Sequence, residues 1–199
     1  MIYSHAAQLR FQERLATEAL AEKEANVTDE VTGVLKREVF RREADYKLAR
    51  LIPGEKRHMR PNNAIIGNFD GKGLKETNDT KGHAEGDRVL FNLGRIIGAV
   101  ARDDDLVGRG GDGSDEYGAV YFFRDDVISP EKLVERLNLH LLALVKTGVS
   151  RGDIAGLKWK LVPFEQGKDI NELLHLADPI PGSEGLMEWP PPDVLPSRK

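Results

Sequence analysis

Between two apolar runs, the segment from Asp105 to Tyr117, DLVGRGGDGSDEY, gathers glycines and the carboxylates of Asp112, Asp115 and Glu116 into one tight turn. Glycines leave backbone N–H groups bare and carboxylates offer hard oxygens; together they can bring a divalent cation up against a phosphate. A second position of this kind is Asp70, which follows the apolar run Ala64-Ile65-Ile66 and is flanked by Gly71 and Gly73. Its own oxygen and the next backbone carbonyl can bind Mg²⁺ where no bulky side chain stands in the way. In an antiparallel pairing, the tip that carries Asp115 and Glu116 meets the end of the strand before Asp70. Acids so placed can hold one or two hydrated metal ions, stabilise charge on a transferring phosphoryl group and activate an attacking hydroxyl. Any one of them alone is an ordinary turn residue. The grouping with glycines is what points to chemistry.

Other chemistries fit less well. A calcium loop of the EF-hand type needs Gly at the sixth position from Asp112, where Tyr117 stands. There is no Walker A pattern, and the five histidines, at 5, 58, 83, 140 and 175, are too scattered for a zinc cluster. The absence of cysteine excludes disulfides and thiolate sites and fits a reducing compartment. A net charge of -4 over 199 residues argues against a DNA or RNA partner, which would need a basic face. Nucleotides stay open, because one metal ion can offset a phosphate locally. No apolar run approaches the roughly 20 residues that span a bilayer, and the N-terminus lacks a signal-peptide core. The expectation is a cytoplasmic protein without direct membrane insertion.

The elements that must position these residues follow from periodicity and punctuation. Residues 5–26, free of Gly and Pro, read as a helix whose Ile2, Ala6, Leu9, Ala16 and Leu20 form a partial heptad. Thr28 and Asp29 offer N-cap oxygens for a second helix over Glu30 to Ala49. Ala64 to Ile66 suits a buried strand, broken by the glycines at 71 and 73. Val89, Leu90, Leu93, Ile96, Ile97 and Val100 make one apolar face on a helix from His83 to Ala101, which implies packing on a sheet. Leu106-Val107 and Ala119 to Phe123 flank the acidic turn as a hairpin. Ser129-Pro130-Glu131 opens a helix with a core stripe of Leu133, Leu137, Leu141, Leu144 and Val145. Leu157 to Phe164 alternates as a half-exposed strand, and Asp169 to Ala177 is a short last helix. This order predicts an α/β (α+β) fold, a mixed sheet flanked by helices, with an N-terminal helical extension.

Three segments, in this order and spacing, resemble the GGDEF family of diguanylate cyclases. The opening D-x-L-T-G-L-x-N-R-R-x-F of that family is matched by Asp29, Val31, Thr32, Gly33, Arg37 and Phe40. Its D-x-D-x-x-K-x-x-N-D is matched by Asp70, Lys75, Asn78 and Asp79, and its G-H-x-x-G-D in full by Gly82, His83, Gly86 and Asp87. Gly113-Ser114-Asp115-Glu116-Tyr117 resembles the signature itself. The resemblance implies a palm-like, ferredoxin-like fold and Mg²⁺ as cofactor. By the same resemblance, Asp70, the Gly71 carbonyl and Asp115 hold the metal, and Asp70, Asp115 and Glu116 form the catalytic group. Lys75, Gly113 and Ser114 line the substrate, and Asn78 and Asp87 read guanine, whose N1 and N2 donors a carboxylate can accept. The implied reaction joins two GTP across a homodimer into cyclic di-GMP and pyrophosphate. Arg102 and Asp105 match R-x-x-D, the family's inhibitory site for cyclic di-GMP; Arg grips guanine or phosphate bidentately.

The sequence departs from the pattern at three places. Lys72 stands where the second acid of D-x-D belongs. Counted from Arg109, the signature arrives two residues late, so an alternative alignment makes Gly110-Gly111-Asp112 the signature and puts Asp112 at the metal. Beyond Ala177-Asp178 the helix that would carry A-L-Y-x-A-K-x-x-G-R-N meets Pro179-Ile180-Pro181-Gly182 and cannot continue. The implied organisation is an N-terminal signalling-type helix at 1–27, a GGDEF-like domain at 28–180 and a Pro/Gly-rich tail at 181–199. A non-catalytic receptor or adaptor that binds GTP or cyclic di-GMP is the alternative function.

Overall fold

The computed structural model describes residues 27–55, 60–110 and 115–179. The helix expected before Val27 and the tail expected over 181–199 lie outside the described residues. Within them, helix α1 (Arg37–Leu48) precedes strand β1 (Asn63–Lys72), followed by α2 (Leu74–Lys81) and α3 (His83–Gly98). Strands β2 (Leu106–Arg109) and β3 (Glu116–Phe123) form the hairpin, and α4 (Pro130–Arg151), β4 (Gly156–Pro163) and α5 (Ile170–Leu176) complete the chain.

The strands lie side by side in the order β2-β3-β1-β4, with all three strand pairs antiparallel. From β1 to β4 this is the βαββαβ arrangement of ferredoxin-like folds, as expected. The parallel element is confined to one isolated bridge, Leu35 to Gly108, at the β2 edge.

Alternation along the strands sends side chains to two cores. Ile65, Phe69, Tyr117, Tyr121 and Trp159 pack with the apolar faces of α3 and α4. On the opposite face, Ala64, Ile66, Val120 and Phe122 pack with Phe40, Ala44 and Leu48 of α1 and Ile170, Leu173 and Leu174 of α5. The predicted stripes of α3 and α4 are thus core, apart from Leu144, which is half-buried and outside the cluster. The end caps behave as their sequences suggest: Ser129 precedes Pro130 at the start of α4, and Asp169 with Glu172 forms a capping box on α5.

Two expectations need correction. The helix expected from Glu30 begins at Arg37, and Lys36, not Thr28 or Asp29, is its N-cap. Residues 28–35 instead form a closed turn. Gly33 takes a positive φ of 72° and donates its N–H to the Asp29 carbonyl at 2.8 Å, a conformation that L side chains avoid. Thr28 bridges back to Leu35. The second correction concerns the glycines at 71 and 73. β1 continues through Gly71 to Lys72, and Gly73, at φ 77°, turns the chain straight into α2, a helix the sequence reading did not foresee. Among the described residues, no helix is long and apolar enough to cross a membrane.

Candidate functional site

Because β1 and β3 pair antiparallel, their register brings the two acidic segments together. Asp70 lies opposite Glu116, and the Gly71 N–H donates to the Asp115 carbonyl at 2.9 Å. The approach at Gly71 is close: a Cβ there would stand 3.2 Å from the Asp115 Cβ and 2.5 Å from a Leu93 methyl. Glycine is therefore needed for the hairpin tip to close on the strand end. Asp115 begins the described chain after the 111–114 gap, so Asp112, Gly113 and Ser114 lie outside the described residues.

Electrostatics at this corner carry opposite contributions. Burial pushes the Asp70 carboxyl above its usual range, and the neighbouring charges of Asp115 and Glu116 push the same way. Lys158 on the adjoining strand β4 and Lys72 pull it back, the former with its Nζ 3.9 Å from Asp70 Oδ2. Carboxylates that repel one another are what a divalent cation relieves. Among the described residues no three acidic, His or Cys side chains cluster tightly enough to cage an ion alone. Mg²⁺ does not require a cage, since it takes one or two carboxylates and leaves its other positions to water and phosphate oxygens. Asp70 and Asp115, with the Gly71 carbonyl between them in sequence, fit that donor set.

A cavity of about 480 Å³ opens beside these acids, lined by Asp70, Glu116, Gly110, Arg41, Lys158 and His175 among others. Arg41 and Lys158 were not foreseen from sequence. Arg41 reaches the site from α1 and donates to the Gly110 carbonyl at 3.2 Å, across 69 residues. Lys158 occupies one of the polar positions of the alternating strand, a signal that marked a half-exposed face but not its neighbour.

The residues matched to guanine reading sit where β1 runs into α2 and α3. Gly86, buried on α3, is pressed against the Asn78 side chain of α2, so that an added Cβ would overlap the Asn78 Oδ1. Asp87 follows directly and is exposed, as is Lys75 on the first turn of α2. The α2–α3 contact of Asn78 with Gly86 thus lies one residue before Asp87 in sequence.

The opening motif does something different. Both the N–H and the Oγ1 of Thr32 donate to Asp29 Oδ1, at 2.9 and 2.7 Å, and Arg109 stands 4.0 Å from the same oxygen. Burial alone would raise the Asp29 carboxyl; the Thr32 bonds and Arg109 outweigh it and hold the group below its usual range. The Arg109 guanidinium also lies over the buried Tyr117 ring, 5.4 Å from its centroid. This cluster fastens the 28–35 turn to the signature hairpin.

At the opposite end of the hairpin, Arg102 lines a second cavity of about 640 Å³ with Arg124, Arg136 and the buried Tyr121, whose hydroxyl has no hydrogen-bond partner among the described residues. Asp105 lines it too, but both its oxygens are engaged by backbone: the Arg102 and Phe122 N–H groups donate to them, each at 2.8 Å. Burial raises the Asp105 carboxyl despite these two bonds.

Comparison with known proteins accords with this geometry. No curated protein matches the sequence significantly. Among solved structures, the coiled coil and GGDEF domain of DgcB from Caulobacter crescentus, in complex with c-di-GMP, is 19% identical. The match covers 85% of this chain and 86% of that one, with a TM-score of 0.67. Diguanylate cyclase SiaD of Pseudomonas aeruginosa, bound to its activator SiaC, is 23% identical over 86% of this chain and 63% of its own, at a TM-score of 0.58. The S helix-GGDEF-EAL portion of Vibrio cholerae LapD, bound to c-di-GMP, is 17% identical over 82% of this chain and 36% of that one, at 0.61. These likenesses are of fold. The model of the family described as diguanylate cyclase, GGDEF domain, matches residues 26–179, and on that match the chain belongs to the GGDEF family.

Proposed function

We propose that this GGDEF domain binds GTP with Mg²⁺ at the end of β1, beside the tip of the signature hairpin. The observation that carries the reading is the register of β1 against β3, with Asp70 opposite Glu116 and Gly71 bonded to Asp115. Asp70, Asp115 and the Gly71 carbonyl hold the ion, which, when bound, neutralises the phosphates and sharpens an attacking hydroxyl. Asn78 and Asp87 take the guanine edge, and Lys75 reaches toward phosphate. Gly113 and Ser114 belong to the same loop in this reading, with Asp115 rather than Asp112 as the metal ligand. Each subunit presents one nucleotide, so condensation to cyclic di-GMP requires two chains face to face, in the cytoplasm, where GTP is found.

Lys72 beside the metal acids and Pro179 at the end of α5 work against turnover more than against binding. A fixed positive charge competes with Mg²⁺, and proline halts the helix. The assay is incubation of the protein with GTP and Mg²⁺, followed by chromatography. A cyclase yields cyclic di-GMP that disappears in Asp70→Ala. No product at high protein concentration removes the enzymatic half of the reading.

A second reading, a non-catalytic receptor for cyclic di-GMP, draws on the cavity lined by Arg102, Arg124 and Arg136. Three guanidinium groups around one cleft suit a dianionic dinucleotide. DgcB and LapD, whose structures hold c-di-GMP, support the same idea by likeness. Calorimetry with cyclic di-GMP tests it: Arg102→Ala weakens binding about tenfold, and an unchanged affinity rejects the site.

A further inference from the structure

Among the described residues, Arg41 is a charge without an ion-paired partner. It is half-buried, lines the cleft with Asp70 and Glu116, and forms no ion pair among the described residues. Among the described residues, one terminal nitrogen donates to the Gly110 carbonyl at 3.2 Å, and the buried Nε has no partner. A guanidinium withdrawn from water in this way is unfavourable until an anion meets it. The bond to Gly110 fixes the plane of the group at the base of the signature hairpin. Planar donors fixed in advance suit phosphate, which accepts two parallel bonds.

Lys158 faces the same cleft from β4. Its ion pair with Asp70 is long, at 3.9 Å, and the side chain is 27% exposed, so its ammonium can turn toward a second anion. The two cations come from α1 and β4, with the acids of β1 and β3 lining the same cavity.

We propose that Arg41 and Lys158 together clamp the polyphosphate end of a nucleotide held beside Asp70 and Glu116. This rests on the nucleotide reading above and adds to it two residues outside every motif. Arg41 takes the terminal oxygens in a bidentate grip, and Lys158 acts as a mobile point charge that exchanges Asp70 for phosphate when Asp70 turns to a cation.

The test separates tail from base. Binding of inorganic tripolyphosphate and of GMP, each with excess Mg²⁺, is measured on the full chain by calorimetry. Arg41→Gln weakens tripolyphosphate about tenfold and Lys158→Gln several-fold, while GMP changes less than about twofold in either variant. Lys146→Gln, on α4 outside the cleft, leaves both ligands unaffected and controls for net charge. Arg41→Lys keeps the charge but loses the fork, and retains only part of the affinity. If Arg41→Gln melts far below the wild type because Gly110 is released, Lys158→Gln carries the decision. Equal tripolyphosphate affinity in the wild type and both variants, or no binding by the wild type, overturns the clamp. Tripolyphosphate binding without GMP binding leaves the clamp standing and rejects the guanine reading.

Discussion

Asp29 and Asp70 belong to neighbouring motifs of one family pattern, yet their surroundings have opposite signs. Asp29 is satisfied: two bonds from Thr32 and the Arg109 charge hold its carboxyl low. Asp70 is burdened instead by partial burial and by Asp115 and Glu116, and only Lys158 and Lys72 offset them. The first arrangement stabilises the fold; the second stores repulsion that a cation can relieve. Motif membership alone does not distinguish the two surroundings; the hydrogen-bond partners and neighbouring charges of each carboxylate do. Asp105 is intermediate, hydrogen-bonded like Asp29 but raised by burial like Asp70.

The largest effect expected on stability is that of Asp29→Ala. It leaves the Thr32 N–H, in a residue only 3% exposed, without its Asp29 acceptor and removes the charge that faces Arg109. A loss of about 2 kcal/mol is expected, or several degrees in Tm. Its pH dependence sharpens the contrast. A carboxyl lowered on folding contributes stability above its unfolded pKa and loses it as pH falls through the lower folded value. The gap between wild type and variant therefore closes in acid. A gap that stays constant from neutral pH into strong acid would mean that the Asp29 charge contributes nothing.

Asp105→Ala is expected to cost less, about 1 kcal/mol, because removing the buried carboxylate offsets part of the two lost backbone bonds. Here the sign reverses. A carboxyl raised on folding contributes most below its unfolded pKa and loses that contribution as pH rises through the raised folded value. Thermal melts across the acid range should show the Asp105 gap narrowing toward neutrality while the Asp29 gap widens. Parallel behaviour of the two variants would break the comparison.

The sequence made the large elements legible because their signals are redundant. Five or six apolar residues at helical spacing mark α3 and α4, and alternation marks β4. Where the signal was a single residue, context overrode it. Thr28 and Asp29 read as helix openers, but Gly33 at positive φ closes the segment into a turn held by the hairpin's Arg109. The α2 segment LKETNDTK has one apolar residue, Leu74, so no stripe announced it. At the site, the motif residues Asp70, Asp115 and Glu116 met as expected because β1 pairs antiparallel with β3, the second strand of the hairpin. Arg41 and Lys158 were invisible because their proximity to Asp70 arises only from packing α1 on the sheet and pairing β4 with β1.

The smallest effect is also the most discriminating. Asp70→Asn keeps the shape of the side chain, removes the repulsion from Asp115 and Glu116, and costs the 3.9 Å pair with Lys158. These oppose each other at a partly exposed site, so the net change in stability is expected to be a gain below about 1 kcal/mol. By the same linkage as for Asp105, the wild type loses stability as pH rises through the raised folded pKa of Asp70, and the asparagine variant does not. The variant's advantage is thus present at neutral pH and vanishes below the unfolded pKa. Saturating Mg²⁺ reverses the order, because the cation binds only the folded wild type and stabilises it by mass action. Melts at neutral pH with and without Mg²⁺ read both effects in one experiment. A variant that is less stable than the wild type without Mg²⁺ would place Asp70 with Asp29, as a structural acid whose partner is Lys158.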